Sequence, residues 1–492
     1  MIYASRRLLG AAIIFVVVLQ LPLVRPHAAL VHADGGPALE REEVVATDGA
    51  TGDGGDGWGA HKLRIVRASD GTVYTTYLTP GSDYTHKNWV LARRTDSGWQ
   101  TVADGVAGRE PVNLLRGPDD ELTVLSWPDQ APAMWSSATD TETPVPGAWS
   151  ETDWPYSAAG ISPGGDIYLL EDICSCTGST PNSPGLYGVA TRLASSGQWQ
   201  FSTFNSDYRY AYMFLMPQSD GSLSLTGTRG VLWSELGYTQ PPGAFGYVFN
   251  AVRQWSLDGD QASAPTLIRE EQPTGAGQMV IADATDVYVD TAGRTHVLYS
   301  LEGSDTGGLY KGRHAILQNG VVISDVPNPV MYPNLSRIIQ DSSGRFTIFS
   351  VCGSTVTIAS GLPGDTDGTR LGAPVTLQLR GSYDCNQENN NYIAAPRGGT
   401  PLADYVDGAF DVGPEWVYYR LRLPGTGAGT ALRVNKPAQT AALAAARIAA
   451  PGAPAGVGAA LARLARATAP PPADRAAFSA MPMDRRRFAV AA

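Results

Sequence analysis

Short runs of alternating apolar and polar residues, each introduced by a turn, recur along the chain. Seven segments carry the pattern: SDGTVYTTYL from Ser69, PDDELTVLSW from Pro118, PGGDIYLLED from Pro163, SDGSLSLTGTR from Ser219, TAGRTHVLYS from Thr291, SSGRFTIFSV from Ser342 and RGGTPLADYV from Arg397. Alternation with period two sends successive side chains to opposite faces of an extended strand. An apolar strand commonly precedes the turn, as in KLRIVRA, VNLLRG, MFLMP and SRIIQD. A third strand follows, with basic or aromatic ends: NWVLARR, LYGVATRL, YVFNAVRQW, LYKGRHAIL and EWVYYRLRL. Fourth pieces such as SGWQTV and SGQWQF complete several units. Four strands in a repeat of about 50 residues make a propeller blade. The pattern therefore predicts an all-β fold, a β-propeller of about seven four-stranded blades.

The pattern also bounds the domains. Residues 1–33 read as a signal peptide: Arg6 and Arg7 precede the apolar run LLGAAIIFVVVLQLPLV, and Val31-His32-Ala33 offers small residues for cleavage. The S-R-R-L-L start also suits the twin-arginine export route. Residues 34–57 read as a flexible linker and 58–423 as the propeller. Residues 424–492, rich in Ala, Pro and Arg, cannot bury enough surface to offset ordering entropy and read as a disordered tail. A secreted, extracellular protein follows, with no membrane contact after cleavage, and a monomer is expected. The propeller is long enough to bury roughly three quarters of its unfolded surface and needs no staples. Four cysteines suit an oxidising compartment. Cys352 and Cys385 flank one strand and loop, where a bridge is plausible, and Cys174 and Cys176 leave their pairing open. The net charge of −11 argues against nucleic acid as a partner. It requires any acidic ligand to be met by cations gathered locally.

Candidate chemistry sits in two units. In the first, His61 heads the opening strand and His86 follows the second, so both belong to one rim. A histidine near its reference pKa serves as base, acid or carboxylate partner. In the fourth, Tyr208, Tyr210 and Tyr212 alternate and share a face on an extended strand. Arg209 points to the other side or toward the mouth. Arg229 ends the second strand beside Trp233, and a long insertion, WSELGYTQPPGAFGY, follows.

The run H-x-x-x-I-x-x-x-x-D-G-x-V-Y, the second His and W-V-L-A-R-R resemble the first blade of BNR-type seven-bladed propeller polysaccharide lyases. The tyrosine strand, the SDG turn, Arg229 and YVFNAVRQWSLDG are similar to that family's Tyr and Arg blade. Two positions depart from it: Lys62 follows the first His where the family shows Asn, and Tyr210 or Tyr212 precedes no Pro. The resemblance implies uronate-containing polysaccharides such as ulvan or rhamnose–glucuronate gums as substrates. It assigns catalysis to His61, His86, Arg229 and Tyr210 or Tyr212. Arg64, Arg209 and Trp233 join as substrate-binding candidates. In the elimination, a guanidinium neutralises the sugar carboxylate, a base removes the proton at carbon 5, and an acid protonates the leaving oxygen at carbon 4. No metal or organic cofactor is required, and a bound metal would be structural.

Two other functions suit the same pattern. Arg64 in RIV is similar to the arginine strand of sialidases, although no clean Asp box exists; Glu235 or Glu302 would then partner a tyrosine in an exo-glycosidase. A non-catalytic lectin or adhesion propeller would use Trp135, Trp233 and the NQENNNY loop as binding platforms.

Overall fold

A computed structural model describes residues 35–423, apart from 52–58, 150–155, 174–184, 219, 243–245, 274–280, 303–310, 384–390 and 395–404. Among the described residues the strands form seven antiparallel sheets, one per blade. The first strand, β1 (Ala38–Ala46), belongs to the last blade. Blade 1 contains β2 (Ile65–Arg67), β3 (Val73–Asp83), β4 (His86–Thr95) and β5 (Gly98–Gly108). Blade 2 is β6 (Asn113–Arg116), β7 (Leu122–Ser126), β8 (Ala133–Ser136) and β9 (Thr141–Pro144). Blade 3 is β10 (Ala158–Ile161), β11 (Ile167–Asp172), β12 (Leu186–Arg192) and β13 (Trp199–Asn205). Blade 4 has five: β14 (Arg209–Pro217), β15 (Leu223–Leu232), β16 (Tyr247–Asp258), and the outer β17 (Gln261–Ala262) and β18 (Thr266–Glu270), both paired with β16. Blade 5 is β19 (Ala282–Val289), β20 (Thr295–Leu301), β21 (Lys311–Gln318) and β22 (Val321–Asn328). Blade 6 is β23 (Ser336–Gln340), β24 (Phe346–Cys352), β25 (Thr355–Ser360) and β26 (Val375–Gln378). Blade 7 is β27 (Asn391–Ile393), β28 (Tyr405–Val412) and β29 (Glu415–Arg422), completed by β1.

Six of the turn-led segments supply the second strand of a blade, as the alternation requires, and of the seventh only Tyr405 and Val406 are described, at the start of β28. The blades stack face to face, and one apolar cluster fills each junction. Between blades 2 and 3, for example, Leu115, Leu125 and Trp127 meet Ala159, Ile167 and Leu169. Between blades 7 and 1, Tyr392, Trp416 and Tyr418 meet Ile65, Val73 and Ala92. Each large apolar side chain in such a junction contributes about 1.5–3 kcal/mol by leaving water.

The N-terminal boundary differs from the sequence reading. Residues 38–46 are not a linker: β1 pairs antiparallel with β29 and closes the ring. Its Glu43 accepts from Arg94 Nε at 2.9 Å, Arg94 Nη2 at 2.7 Å and Trp99 Nε1 at 3.1 Å, tying blade 7 to blade 1. Its neighbour Glu42 accepts from the Gly381 amide at 2.7 Å and Tyr383 Oη at 2.9 Å, which ties blade 7 to blade 6. Cys352 is disulfide-bonded. Cys174, Cys176, Cys385, the signal segment, the tail and most of the NQENNNY loop lie outside the described residues. No helix among the described residues is long and apolar enough to cross a membrane.

Candidate functional site

In an up-and-down blade the start of the first strand, the end of the second and the start of the third share one end of the ring. At this end, the mouth, polar groups from blades 1 to 5 collect. The segment Gly59–Arg64 leads into β2 and lies across the hub: Ala60 packs on the cluster between blades 4 and 5, and Leu63 on that between blades 2 and 3. Gly59 turns the chain at φ +88°, where an added Cβ would stand 3.0 Å from Lys62 Cγ and 3.2 Å from His61 Cε1. Only glycine adopts that backbone freely. The turn aims His61 and Lys62 at neighbouring blades. His61 Nε2 donates to the Tyr156 carbonyl at 3.1 Å. Lys62 Nζ donates to Ser157 Oγ at 2.9 Å and pairs with Glu110 Oε2 at 3.2 Å. The Tyr156 amide donates to Glu110 Oε1 at 2.9 Å. Blades 1, 2 and 3 are thus bound together beneath the mouth.

Above this floor stand Tyr156, Tyr212 and Arg209, all half-buried. Tyr156 (φ +48°) and Tyr212 (φ +52°) both hold the left-handed backbone conformation, which is uncommon for bulky residues and gathers at functional sites. A bulge between Ala211 and Phe214 lets Tyr212 leave the ladder of β14. The two rings meet edge to face at 5.2 Å. The Tyr212 ring also lies 5.7 Å from His61 and 5.8 Å from Phe249. The Arg209 guanidinium lies 5.1 Å from the Tyr156 ring centre and 4.7 Å from that of Tyr247, with Nε 3.9 Å from Asp172 Oδ2. From blade 5, Asp283 faces the same mouth and accepts from Thr228 Oγ1 at 2.6 Å.

Burial governs the titration of these groups. It raises Asp283 to about 6, against the hydrogen bonds from Thr228 and the Ala284 amide. Burial, then the neighbouring Tyr156 and Asp283, push the Tyr212 phenol well above its usual range. Lys62 is lowered and Glu110 raised, both by burial, while each partner opposes the other's shift.

His61, Arg209 and Tyr212 are therefore brought together, and the other residues singled out from the sequence are held by partners outside this cluster. His86, half-exposed at the β3–β4 hairpin, has Nδ1 2.8 Å from Asp83 Oδ1 and Nε2 3.9 Å from Asp129. Asp83 raises its pKa. Neither carboxylate belongs to the central cluster. Arg64 is buried between blades, donating from Nη2 to the Thr76 carbonyl at 2.9 Å with its guanidinium 4.7 Å from the Trp416 ring. Its expected contact with substrate is corrected to inter-blade packing. Tyr210 packs edge-on against Trp255 at 4.4 Å and donates from Oη to Asp207 Oδ1 at 3.0 Å. Arg229 is held by Asn250 Oδ1 at 3.1 Å and Glu270 Oε1 at 2.6 Å, so its charge is already matched. Trp233 is buried with Val231, Val248 and Ile281 beneath the insertion. Lys62, Glu110, Tyr156, Glu171 and Asp283 were not among the candidates. The signal that finds them is positional: each lies just before or within the first turn of an inner strand, or at the end of a second strand.

No protein-family model and no curated protein matches the sequence. Solved structures similar to the chain include the polysaccharide lyase Uly1 (12% identity, TM-score 0.45, covering 78% of this chain and 99% of that one). The α-L-arabinanase of Penicillium chrysogenum complexed with arabinobiose is 10% identical (TM-score 0.40, 78% of this chain, 98% of that one). A subtype N11 neuraminidase-like protein from a flat-faced bat influenza virus is 11% identical (TM-score 0.37, 80% and 95%). At these scores the likenesses carry no argument about activity, and the fold rests on the strand pairing itself.

Proposed function

We propose that the chain is an exported, carbohydrate-active propeller that binds a uronate-containing polysaccharide at the mouth and cleaves it by β-elimination. The observation that carries this reading is the Arg209–Tyr156–Tyr212 cluster, a guanidinium and two aromatic faces on a floor pinned by Lys62. Aromatic faces suit sugar rings, and a guanidinium pairs bidentately with a carboxylate. On a chain of net charge −11 it is a local cation of the kind an acidic sugar needs.

In the reaction Arg209 neutralises the uronate carboxylate, which acidifies the proton at carbon 5. Asp283, ionised above about pH 6, takes that proton. The released electron pair forms the carbon 4–carbon 5 double bond, the carbon 4–oxygen bond breaks, and Tyr212 gives its phenolic proton to the leaving oxygen. Solvent reprotonates Tyr212 and removes the proton from Asp283. His61 positions Tyr212 from below, while His86 and Arg229 act outside the reacting centre. The reaction draws on side chains alone.

The pair of pKa-raised carboxyls, Asp283 and Glu171, favours one second reading, glycoside hydrolysis by an acid and a base. Incubation with ulvan, pectic, glycosaminoglycan and plant-gum polysaccharides separates the two. Elimination yields an ultraviolet-absorbing unsaturated end, and hydrolysis yields new reducing ends without absorbance. Binding without either product would identify a lectin, and no binding across the panel would remove the acidic-glycan reading.

A further inference from the structure

One buried carboxyl at the mouth takes no part in the elimination. Glu171, at the end of β11, is 2% exposed, and among the described residues neither of its carboxyl oxygens has a hydrogen-bond partner. Removing such a group from both water and donors is costly, and native interiors keep few of them without a reason. Four charged groups face it: Glu110 from the segment before β6, Asp172 beside it on β11, Lys62 from the segment before β2 and Arg209 at the start of β14. Lys62 is already committed to Glu110 and Ser157. Arg209 reaches Asp172 and the mouth. Arg109, one residue before Glu110, adds a cation that acts on that carboxylate. Burial first, then Glu110 and Asp172, hold Glu171 well above the usual carboxylate range, against Lys62 and Arg209.

The charge balance gives this proton a consequence. With Glu171 neutral, Lys62, Arg209 and Arg109 outweigh Glu110 and Asp172 by one positive charge, and ionising Glu171 cancels that excess beside Arg209, the cation that would meet a sugar carboxylate. We infer that Glu171 is a proton-linked gate on acidic-ligand binding: the mouth accepts a sugar carboxylate while Glu171 is neutral and rejects it once Glu171 ionises. The inference rests on the acidic-glycan reading of the same site. By linkage, a bound carboxylate favours the proton as much as the proton favours the carboxylate. Above the pH at which free Glu171 ionises, affinity therefore falls by up to tenfold per pH unit, and binding takes up a proton.

The test is calorimetric titration of the full chain with ulvan oligosaccharides at several pH values, in two buffers of different ionisation enthalpy. The expected result is affinity that falls as pH rises, accompanied by proton uptake approaching one per ligand. In Glu171→Gln, which keeps the shape of the neutral acid and cannot ionise, that uptake and that fall disappear; Glu171→Met serves if the first variant does not fold. A ligand-free readout runs alongside. Wild-type stability is lost as pH rises from the unfolded carboxyl's range toward the raised folded one, and in the variant that slope is shallower by the share of one proton, Asp283 and Glu110 keeping theirs. Binding with equal proton uptake in wild type and variant, or with no dependence on pH, overturns the gate and leaves the proposed function in place. Absence of binding at every pH overturns both.

Discussion

Arg209 and Tyr212 are the residues whose loss should separate chemistry from folding. Both are half-buried at the mouth, and neither fills a junction between blades. Tyr212→Phe removes only the proton donor and should lower kcat by about 10²–10⁴-fold, with the thermal midpoint unchanged; steady-state kinetics beside calorimetry checks this. Arg229→Ala should do the reverse. It strips the buried Asn250 and the exposed Glu270 of a partner, the former costing roughly 1–3 kcal/mol of stability, while turnover at permissive temperature persists. If the proposed elimination holds, Asp283 sets the acid limb of the pH profile: activity should rise as pH passes about 6, because the base must be ionised, and Asp283→Asn should abolish turnover. Stability runs the other way. A carboxyl raised on folding contributes stability below its unfolded pKa and loses it as pH climbs through the folded one. The tyrosines also show where sequence reading stops. Alternation puts Tyr208, Tyr210 and Tyr212 on one face. The bulge after Ala211 breaks the alternation, so Tyr210 packs on Trp255 while Tyr212 meets Tyr156 and His61. A bulge leaves no mark in a hydrophobicity pattern.

At the scale of elements, the second strand of blades 1 to 6 was legible because a turn and a two-residue period occur together there. The segments between repeats carry no period, and they hold most of the site. Gly59–Arg64 is the clearest case: His61 stood out as a rare residue, but Lys62 read as a departure from a motif rather than as a bridge across the hub. Gly59→Ala forces a side chain into left-handed backbone and against Lys62. It should cost about 1–2 kcal/mol and disturb the placement of both His61 and Lys62. The expected outcome is a lowered melting temperature together with lowered kcat, whereas a change in stability alone would mean that the turn does not position the floor. Blade 4 departs from the four-strand pattern by its split outer layer, β17 and β18. The composition of the long interval there gave no sign of it, since such short edge pieces are set by what they cover.

At the scale of the molecule, the count of seven blades was legible and the way the ring closes was not. In β1, ALEREEVVA, charged residues stand where an inner strand would carry apolar ones, because an outer strand exposes one edge and much of its surface. That composition resembles a linker until Glu42 and Glu43 are seen reaching to blades 6 and 1. Deleting residues through 46 should leave β29 as an unpaired edge prone to self-association, measurable as a loss of monomer by light scattering. The seam also has a functional side. The blade it fastens, blade 1, is the one that sends His61 and Lys62 across the hub to blades 2, 3 and 4. A propeller that loosens at this joint loses the alignment of its mouth before any single sheet unravels. Loss of glycan binding and amide exchange in β1 should therefore share one midpoint on heating, so that the mouth reports on the wholeness of the ring.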